Sequence, residues 1–389
     1  MEMRRKPARP TRLRLAREYL AEARAEASED DDEGVARRLR PDTSSQPISG
    51  RVRWDSERFV SLKAHRGPVT CACLGENHAV TGSKDNGVAV FDLSTGTLTR
   101  RLVERWPRRA PRFVEEARGV DSTSELAPRQ ASEAEVWAVA SRGSLVAAGG
   151  RDRLVHVWDM RAPDEAFSLR GHSGSITGLS FGDDNLYSAA EDGTLKVWRH
   201  AAHLETVFGH EGPVRSLDVL DDRPVSGGSD ATLRSWKIRD ETHLVYRAAP
   251  GTSVDACWRI DAHHFASGSD DGAVSLWSST RKKPSAVVRT AHGRDGLAPR
   301  WITAVGGFRH TDLVASGASD GTVRFYSLPS LDPVATTLSV PGVVAALSST
   351  PDYRLLAVAA SHEPKFGRWF RVNRAPNALL LFPSVLDEA

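Results

Sequence analysis

Short apolar segments recur along the chain, and turns rich in glycine, aspartate or asparagine separate them. The pattern is clearest in residues 176–181, 185–188 and 194–198, where branched and aromatic side chains alternate with small or polar ones. Alternation of this kind predicts β-strands, and Asp-Gly pairs between strands are typical of tight hairpin turns. Most of the chain is therefore predicted to be all-β.

An aspartate followed six residues later by an aromatic residue recurs along these segments. The pairs are Asp85 and Phe91, Asp152 and Trp158, Asp192 and Trp198, Asp230 and Trp236, Asp271 and Trp277, and Asp320 and Tyr326. Successive aspartates are 67, 40, 38, 41 and 49 residues apart. A repeat near 40 residues built from short strands is typical of a β-propeller with one blade per repeat.

Two of these spacings exceed the repeat length and locate insertions, at about residues 104–134 between the first two blades and near residues 293–300. A seventh, degenerate blade is predicted over residues 343–382. A short strand over residues 58–62 precedes the first repeat and is predicted to close the ring. Seven blades of about 40 residues would make residues 51–389 a single propeller domain.

Residues 1–50 follow a different pattern and are predicted to form a charged helical extension and a linker. Seven basic side chains and two acidic ones lie in residues 1–18, and all of residues 29–33 are acidic. Between them, apolar residues recur at three- and four-residue intervals, which indicates one face of a helix. Residues 41–50 are rich in Pro, Ser and Thr, which is typical of a linker.

The overall charge is nearly balanced, with 52 Lys and Arg against 50 Asp and Glu. Any affinity for nucleic acid must then come from clustering of charge. Cys71, Cys73 and Cys257 lack the spacing of a disulfide framework or a zinc site, which favours a reducing compartment. No apolar run approaches the roughly 18 residues of a membrane span. A soluble intracellular protein with no metal or cofactor is expected.

Histidine and serine recur at fixed distances from the aspartates. His172 and Ser188 precede Asp192 by 20 and four residues, and the next repeat has the same spacing. Together these residue types could suggest a hydrolase triad. Repetition in successive blades argues for a structural role instead, and no phosphate-binding glycine-rich loop or metalloprotease motif is present. The protein is predicted not to be an enzyme.

The repeats resemble those of WD-repeat propellers, and this resemblance implies a buried, hydrogen-bonded tetrad within each blade. Paired polar groups are buried at modest cost, whereas unpaired ones would each cost about 1 to 3 kcal/mol. The residues assigned to tetrads are His65, Asp85, Asp152, Trp158, His172, Ser188, Asp192, Trp198, His210, Ser226, Asp230, Trp236, Asp271, Trp277 and Asp320.

One short motif points to an alternative function. Residues Trp158-Asp159-Met160-Arg161 match the Trp-Asp-x-Arg motif by which some propellers dock onto a cullin-type ubiquitin ligase as substrate receptors. The Trp and Asp of this motif belong to the repeat, so only Arg161 is evidence beyond the repeat pattern. The alternative is therefore such a receptor, or another interaction protein that binds histones or peptides through its central face.

Basic residues with nearby aromatics indicate RNA contact, because Lys and Arg neutralise phosphates and aromatic rings stack on unpaired bases. One such cluster opens the first insertion. Two further clusters, between the fifth and sixth blades and in the last blade, supply the candidate RNA-binding residues Lys282, Lys283, Arg289, Arg300, Trp301, Lys365, Arg368, Trp369, Arg371 and Arg374. Trp369 is open to two interpretations, stacking on RNA or packing within the long last hairpin.

Several segments outside the repeat register resemble the U3 small nucleolar RNA-associated WD-repeat family. They are Phe366-Gly-Arg-Trp-Phe-Arg-Val372, Trp301-Ile-Thr-Ala-Val305 after Ala291-His292-Gly293, Ser279-Thr-Arg-Lys-Lys-Pro284, Arg14-Leu-Ala-Arg-Glu-Tyr-Leu20 and Gly34-Val-Ala-Arg-Arg-Leu39. The resemblance covers nearly the whole chain, including the N-terminal extension.

The resemblance implies a subunit of the box C/D U3 ribonucleoprotein that binds the box B/C region of U3 snoRNA. Its partners would be box C/D core proteins and proteins of the small-subunit processome. It would act in the nucleolus, in pre-rRNA processing toward 18S rRNA. Arg368 and Arg371 are the first candidates for phosphate contacts, because other blades have only a short turn at their position.

Overall fold

The computed structural model describes residues 52–54, 59–102, 135–162, 166–199, 201–240, 242–367, 371–373 and 375–386. Within these ranges the chain forms seven antiparallel sheets of four or five strands, a two-stranded hairpin and a single 3-10 turn at Ile238–Asp240. Each sheet is one blade, so the predicted seven-bladed propeller is confirmed. The predicted helical extension at residues 1–50 and the insertion at residues 104–134 lie outside the described residues.

The first three blades each consist of four consecutive strands. Blade 1 comprises β3 (Val69–Leu74), β4 (His78–Ser83), β5 (Val88–Asp92) and β6 (Leu98–Arg101). Blade 2 comprises β7 (Val136–Arg142), β8 (Leu145–Gly150), β9 (Val155–Asp159) and β10 (Phe167–Leu169). Blade 3 comprises β11 (Ile176–Phe181), β12 (Leu186–Ala190), β13 (Thr194–Arg199) and β14 (Ala202–Phe208).

The next three blades repeat this order, with a short hairpin between blades 5 and 6. Blade 4 comprises β15 (Val214–Leu220), β16 (Arg223–Gly228), β17 (Thr232–Lys237) and β18 (Thr242–Arg247). Blade 5 comprises β19 (Val254–Arg259), β20 (His264–Ser269), β21 (Val274–Ser278) and β22 (Arg281–Val288). The hairpin is β23 (Arg294–Asp295) and β24 (Ala298–Pro299), and blade 6 comprises β25 (Ile302–Gly307), β26 (Leu313–Ala318), β27 (Thr322–Ser327) and β28 (Asp332–Ser339).

The last blade joins the two ends of the propeller. Its inner strands are β29 (Val343–Ser349), β30 (Leu355–Ser361) and β31 (Ala378–Leu386), and two N-terminal strands, β1 (Val52–Trp54) and β2 (Val60–Leu62), pair with β31. Trp54 then stacks on Phe325 of blade 6, with ring centroids 4.0 Å apart. The closing strand predicted over residues 58–62 corresponds to β2, so that prediction is confirmed.

Burial decreases from the inner to the outer strands of a blade. The second strand of blade 2, with the sequence Leu-Val-Ala-Ala-Gly-Gly, is buried at five of its six positions, whereas β6 is exposed at all four. Small and β-branched residues suit the inner strands because neighbouring blades pack face to face there. The first strand of each blade lies beside the first strands of its neighbours, so these seven strands surround a central channel.

Each of these inner strands has a β-bulge near its start. The residues at the extra position are Thr70, Trp137, Thr177, Arg215, Asp255, Thr303 and Ala345. A bulge bends the strand and re-aims the side chain of the extra residue. These seven residues, here called the bulge ring, therefore lie at one end of the channel. We call this end the upper face and the opposite end the lower face.

Blade 3 shows the complete tetrad. His172 lies 3.0 Å from Asp192 through Nδ1 and 2.8 Å from the Ser188 hydroxyl through Nε2, while Trp198 Nε1 donates to the same hydroxyl at 2.8 Å. Blade 4 has the same bonds among its four equivalent residues, His210, Ser226, Asp230 and Trp236. Each tetrad ties the loop before a blade to two of its strands.

Other blades vary this pattern. In blade 1, Thr81 takes the place of the serine and lies 2.8 Å from His65. In blade 5, the indole of Trp277 donates to Ser267 at 2.8 Å. In blade 2, Asp152 lies 2.6 Å from His156 of its own blade.

Blade 6 has a tetrad histidine that the sequence analysis missed. His292 lies 2.8 Å from Ser316 and 3.2 Å from Asp320, but it precedes that aspartate by 28 residues. Strands β23 and β24 lie between them and account for the longer spacing. One sequence signal could have identified His292. The Ala-His-Gly sequence around it resembles the Gly-His pairs that open blades 3 and 4.

Replacing a tetrad aspartate should destabilise the propeller in a pH-dependent way. Burial raises the pKa of Asp192, but hydrogen bonds from His172 and Thr194 outweigh burial and hold it well below its usual value. A lowered pKa contributes stability above the unfolded-state pKa near 4, and that stability is lost as the pH falls. We expect Asp192→Asn to lower the free energy of unfolding by about 2 kcal/mol at pH 7 and to weaken its dependence on pH below 4.

Chemical denaturation at several pH values measures both effects. Asp184→Asn is the matched control, since Asp184 is an exposed lower-face carboxylate, 3.5 Å from Arg199. Equal effects of the two substitutions would contradict a stabilising tetrad.

Candidate RNA interface on the upper face

A long segment on the upper face distinguishes blade 7 from the others. It joins β30 to β31 over residues 362–377, at the position where other blades have a short Asp turn. The backbone N–H of Val372 donates to the His362 carbonyl at 2.9 Å, and His362 Nδ1 lies 2.6 Å from Asn377 Oδ1. These bonds hold the two ends of the segment together. We call the described residues of this stretch, 362–367, 371–373 and 375–377, the crossing segment.

The crossing segment extends over the mouth of the channel. Nζ of Lys365 donates to the carbonyl of Thr177 at 2.7 Å, and Thr177 belongs to blade 3, on the far side of the ring from blade 7. Phe366 meets Trp137 edge to face, with ring centroids 5.5 Å apart, and the Arg215 guanidinium lies 4.9 Å from its centroid. Residues of the bulge ring in blades 2, 3 and 4 therefore contact this segment.

The channel mouth lowers the pKa of Lys365. Burial lowers the pKa of its amine to about 8, the Asp255 carboxylate opposes that shift, and the Arg215 guanidinium adds to it. Burial also raises the pKa of Asp255, although Ser253 and Trp301 donate hydrogen bonds to it. Residue 365 is half-buried as a whole, but its amine lies among these groups at the mouth.

Lys84 of blade 1 holds the crossing segment from the side. Its Nζ donates to the carbonyls of Pro364 and Gly367, each at 2.8 Å, and lies 3.6 Å from the Glu363 carboxylate. Only 4 % of the Lys84 side chain is exposed. Lys84 is not among the predicted site residues, because nothing in the sequence of blade 1 indicates that a segment almost 300 residues later lies beside it.

The predicted RNA-binding residues of blade 7 are placed only in part. Arg371 is exposed, and its neighbour Val372 is bonded to the His362 carbonyl. The amine of Lys365 donates to the Thr177 carbonyl within the propeller. Arg368, Trp369 and Arg374 lie outside the described residues, so their roles stay predictions.

Three of the candidates between blades 5 and 6, Arg289, Arg300 and Trp301, flank the β23–β24 hairpin on the upper face. Arg289 is exposed, whereas Arg300 is half-buried and lies 3.9 Å from Asp320. Trp301 is half-buried, and its indole N–H donates to Asp255 of the bulge ring. At the tip of the hairpin, Leu297 is 94 % exposed. The hairpin is thus linked through Trp301 to the channel mouth.

Lys282 and Lys283 lie at the lower end of the outer strand β22. This strand has eight residues, and Arg289 follows its upper end. At about 3.3 Å per residue, roughly 20 Å separates the two lysines from Arg289. The structure therefore does not bring them together with the upper-face residues, although they are close in sequence.

Arg161, the residue of the alternative function, lies in the lower-face turn after β9. Its side chain is 79 % exposed, and its Nη2 donates to the Asp159 carboxylate at 2.8 Å. This arrangement is separate from the crossing segment.

The remaining chemistry of the described residues concerns thiols, metal binding and membrane insertion. Burial raises the pKa of Cys71 to about 11 and that of Cys257 to about 12. Among the described residues, no group of His, Cys, Asp and Glu is arranged to hold a metal ion. None of the helical structure in those ranges is long and apolar enough to cross a membrane.

The fold and the tetrads define a WD-repeat β-propeller. The family model for the WD domain, G-beta repeat, matches residues 126–159, 164–199, 202–237 and 245–278. The chain is also similar to a solved structure described as "Structure of U3-55K", with a TM-score of 0.72 and 28 % identity, covering 87 % of this chain and 100 % of that one.

Similar proteins place the chain more narrowly. It is 30 % identical to the U3 snoRNP-associated protein-like EMB2271 of Arabidopsis thaliana, over 98 % of this chain and 85 % of that protein. It is 31 % identical to the human U3 small nucleolar RNA-interacting protein 2, over 97 % of this chain and 82 % of that protein. The chain belongs to the U3 snoRNP-associated WD-repeat family, as its off-register segments predicted.

Replacing Lys365 should show how burial of its amine affects the free energy of unfolding at different pH values. Because burial lowers its pKa from 10.5 to about 8, the unfolded chain binds more protons between these values, and stability rises with pH across that window. Lys365→Met removes this dependence. We expect the variant to be as stable as the wild type at pH 7, and the wild type to gain up to about 2 kcal/mol relative to it between pH 8 and 10.

Denaturation of both proteins at pH 7, 8, 9 and 10 gives the difference directly. A difference in unfolding free energy that stays constant over this range would show that the Lys365 amine is not held at the channel mouth.

Proposed function

We propose that this protein is a non-enzymatic subunit of the U3 ribonucleoprotein and that it binds U3 snoRNA, at the box B/C region, through its upper face. The observation that carries the proposal is the crossing segment. It replaces a short turn with a long basic and aromatic chain, it is held over the channel mouth, and it exposes Arg371. The family relationship supplies the identity of the RNA, since a human relative is named as interacting with U3 small nucleolar RNA.

The exposed chemistry of the upper face suits RNA. Arg371 and Arg289 are exposed there, and the β23–β24 hairpin adds exposed Arg294 beside Leu297. The deep, narrow major groove of an RNA helix is poorly accessible to side chains, so recognition depends on phosphates, the minor groove and unpaired bases. Scattered arginines on protruding loops can make such contacts. Box C/D core proteins bound to the same stem would add specificity.

The same geometry argues against a peptide in the upper mouth of the channel. Lys365 and Phe366 lie there, against Thr177, Trp137 and Arg215. A peptide ligand would have to displace them. Docking to a ubiquitin ligase through the exposed Arg161 uses the other face and is the second candidate function. In the proposed role the protein acts in the nucleolus, within the small-subunit processome, in pre-rRNA processing toward 18S rRNA.

Crosslinking in cells tests the proposal at the level of the RNA. The full chain is crosslinked to RNA and purified, and the recovered RNA is sequenced. We expect U3 snoRNA to be enriched over other box C/D RNAs, with crosslinks near box B/C. Recovery of U3 at the level of other small RNAs would sink the proposal, and co-purification of a cullin complex that depends on Arg161 would favour the second candidate.

Replacing Arg371 tests the interface itself. A phosphate contact contributes to affinity and to its salt dependence, because binding releases counterions. We expect Arg371→Ala to weaken binding of a U3 box B/C RNA about fivefold and to reduce the slope of log affinity against log salt by about one.

Arg354→Ala is the matched control for this measurement. Arg354 is an arginine on the lower face with 82 % of its side chain exposed. Fluorescence anisotropy at several salt concentrations compares the two variants. Equal losses would mean that the arginines act through bulk charge and not through an upper-face site.

A further inference from the structure

We propose that Lys84 and Lys365 are positioning residues for RNA binding, which fix residues 363–367 across the channel mouth and so position the backbone at Arg371, whose neighbour Val372 is bonded to His362. Neither lysine is assigned to contact RNA. The inference rests on the proposed function, because it concerns how the same interface is built. It follows from where the two amines donate their hydrogen bonds.

Lys84 closes a turn within the crossing segment. An ammonium group has three N–H donors, and here two of them reach the carbonyls of Pro364 and Gly367 while Glu363 supplies a negative charge 3.6 Å away. Carbonyls three residues apart in sequence are thereby directed at one atom. Without the amine, these acceptors would have to find other partners, and the turn would have fewer restraints.

Lys365 fixes the same turn to the far side of the ring. Its amine bonds to the Thr177 carbonyl in blade 3, while Phe366 packs between Trp137 of blade 2 and Arg215 of blade 4. Lys84 belongs to blade 1. The turn is therefore attached to four different blades besides its own, and it can move only if several contacts break together.

The anchoring affects affinity through conformational entropy. Ordering a flexible backbone costs conformational entropy, so a loose segment would lose affinity when RNA ordered it. A segment that is already fixed avoids this loss. Removing an anchor should then weaken binding without changing the number of phosphates contacted. Removing Arg371 should change both.

The test compares Lys84→Met with Lys84→Arg in the full chain. The probe is a U3 box B/C RNA, and the readouts are affinity, the salt slope, the melting temperature and the rate of proteolysis within the crossing segment. We expect Lys84→Met to weaken binding about tenfold with an unchanged salt slope and faster cleavage of the segment. Lys84→Arg keeps the charge and the N–H donors, so it should restore part of the affinity.

Two outcomes overturn the inference. An unchanged affinity in Lys84→Met would show that the clamp does not position the interface, and a salt slope lowered by about one would show that Lys84 itself contacts a phosphate. If Lys84→Met lowers the melting temperature of the whole propeller, Lys365→Met provides the second variant. It should keep the wild-type melting temperature at pH 7 and still bind about tenfold more weakly.

The two proposals can fail separately. If Arg371→Ala weakens binding and neither lysine variant does, the interface is correct and only the anchoring is wrong. If the wild type shows no preference for the U3 RNA over an unrelated stem, the proposed function itself is wrong.

Discussion

The upper face depends on one geometric constraint, which is that seven inner strands start around a single narrow channel. Each strand has a bulge near its start, which re-aims the side chain of the extra residue at this end of the channel. Where this residue is threonine, its hydroxyl reaches the next blade, as Thr177 does to the Val214 carbonyl at 2.7 Å. Such bonds join neighbouring blades where no ladder hydrogen bonds connect them.

In three blades the bulge ring has larger side chains, and these accommodate the crossing segment. Trp137 and Arg215 contact Phe366, and Asp255 offsets the charge of Lys365 and accepts a bond from Trp301. A cation near a low-dielectric mouth is tolerated only when an anion and hydrogen-bond acceptors compensate for lost water. The bulge ring therefore links blade 7 with the β23–β24 hairpin, although the two are distant along the chain.

The sequence predicted those parts of the fold that depend on local, repeated patterns. The Asp-to-aromatic register predicted the blades, and the apolar strand before the first repeat predicted the closure, because both depend on short spacings. His292 was missed because an inserted hairpin moved it eight residues beyond the usual spacing of 20. Lys365 was predicted to contact RNA because of its charge. Its bond to a carbonyl 188 residues earlier crosses the ring and leaves no local signal.

The tetrads also limit the negative charge that the upper face would present to a polyanion. Most blades place an aspartate at this face, and a ring of accessible carboxylates would repel RNA. The side chains of Asp192, Asp230 and Asp320 are only 10 %, 7 % and 6 % exposed, and their oxygens accept bonds from histidines and backbone N–H groups. Their charges are thus turned inward. An RNA that approaches this face would first meet the parts of the chain that extend beyond the Asp turns, which are the crossing segment and the β23–β24 hairpin.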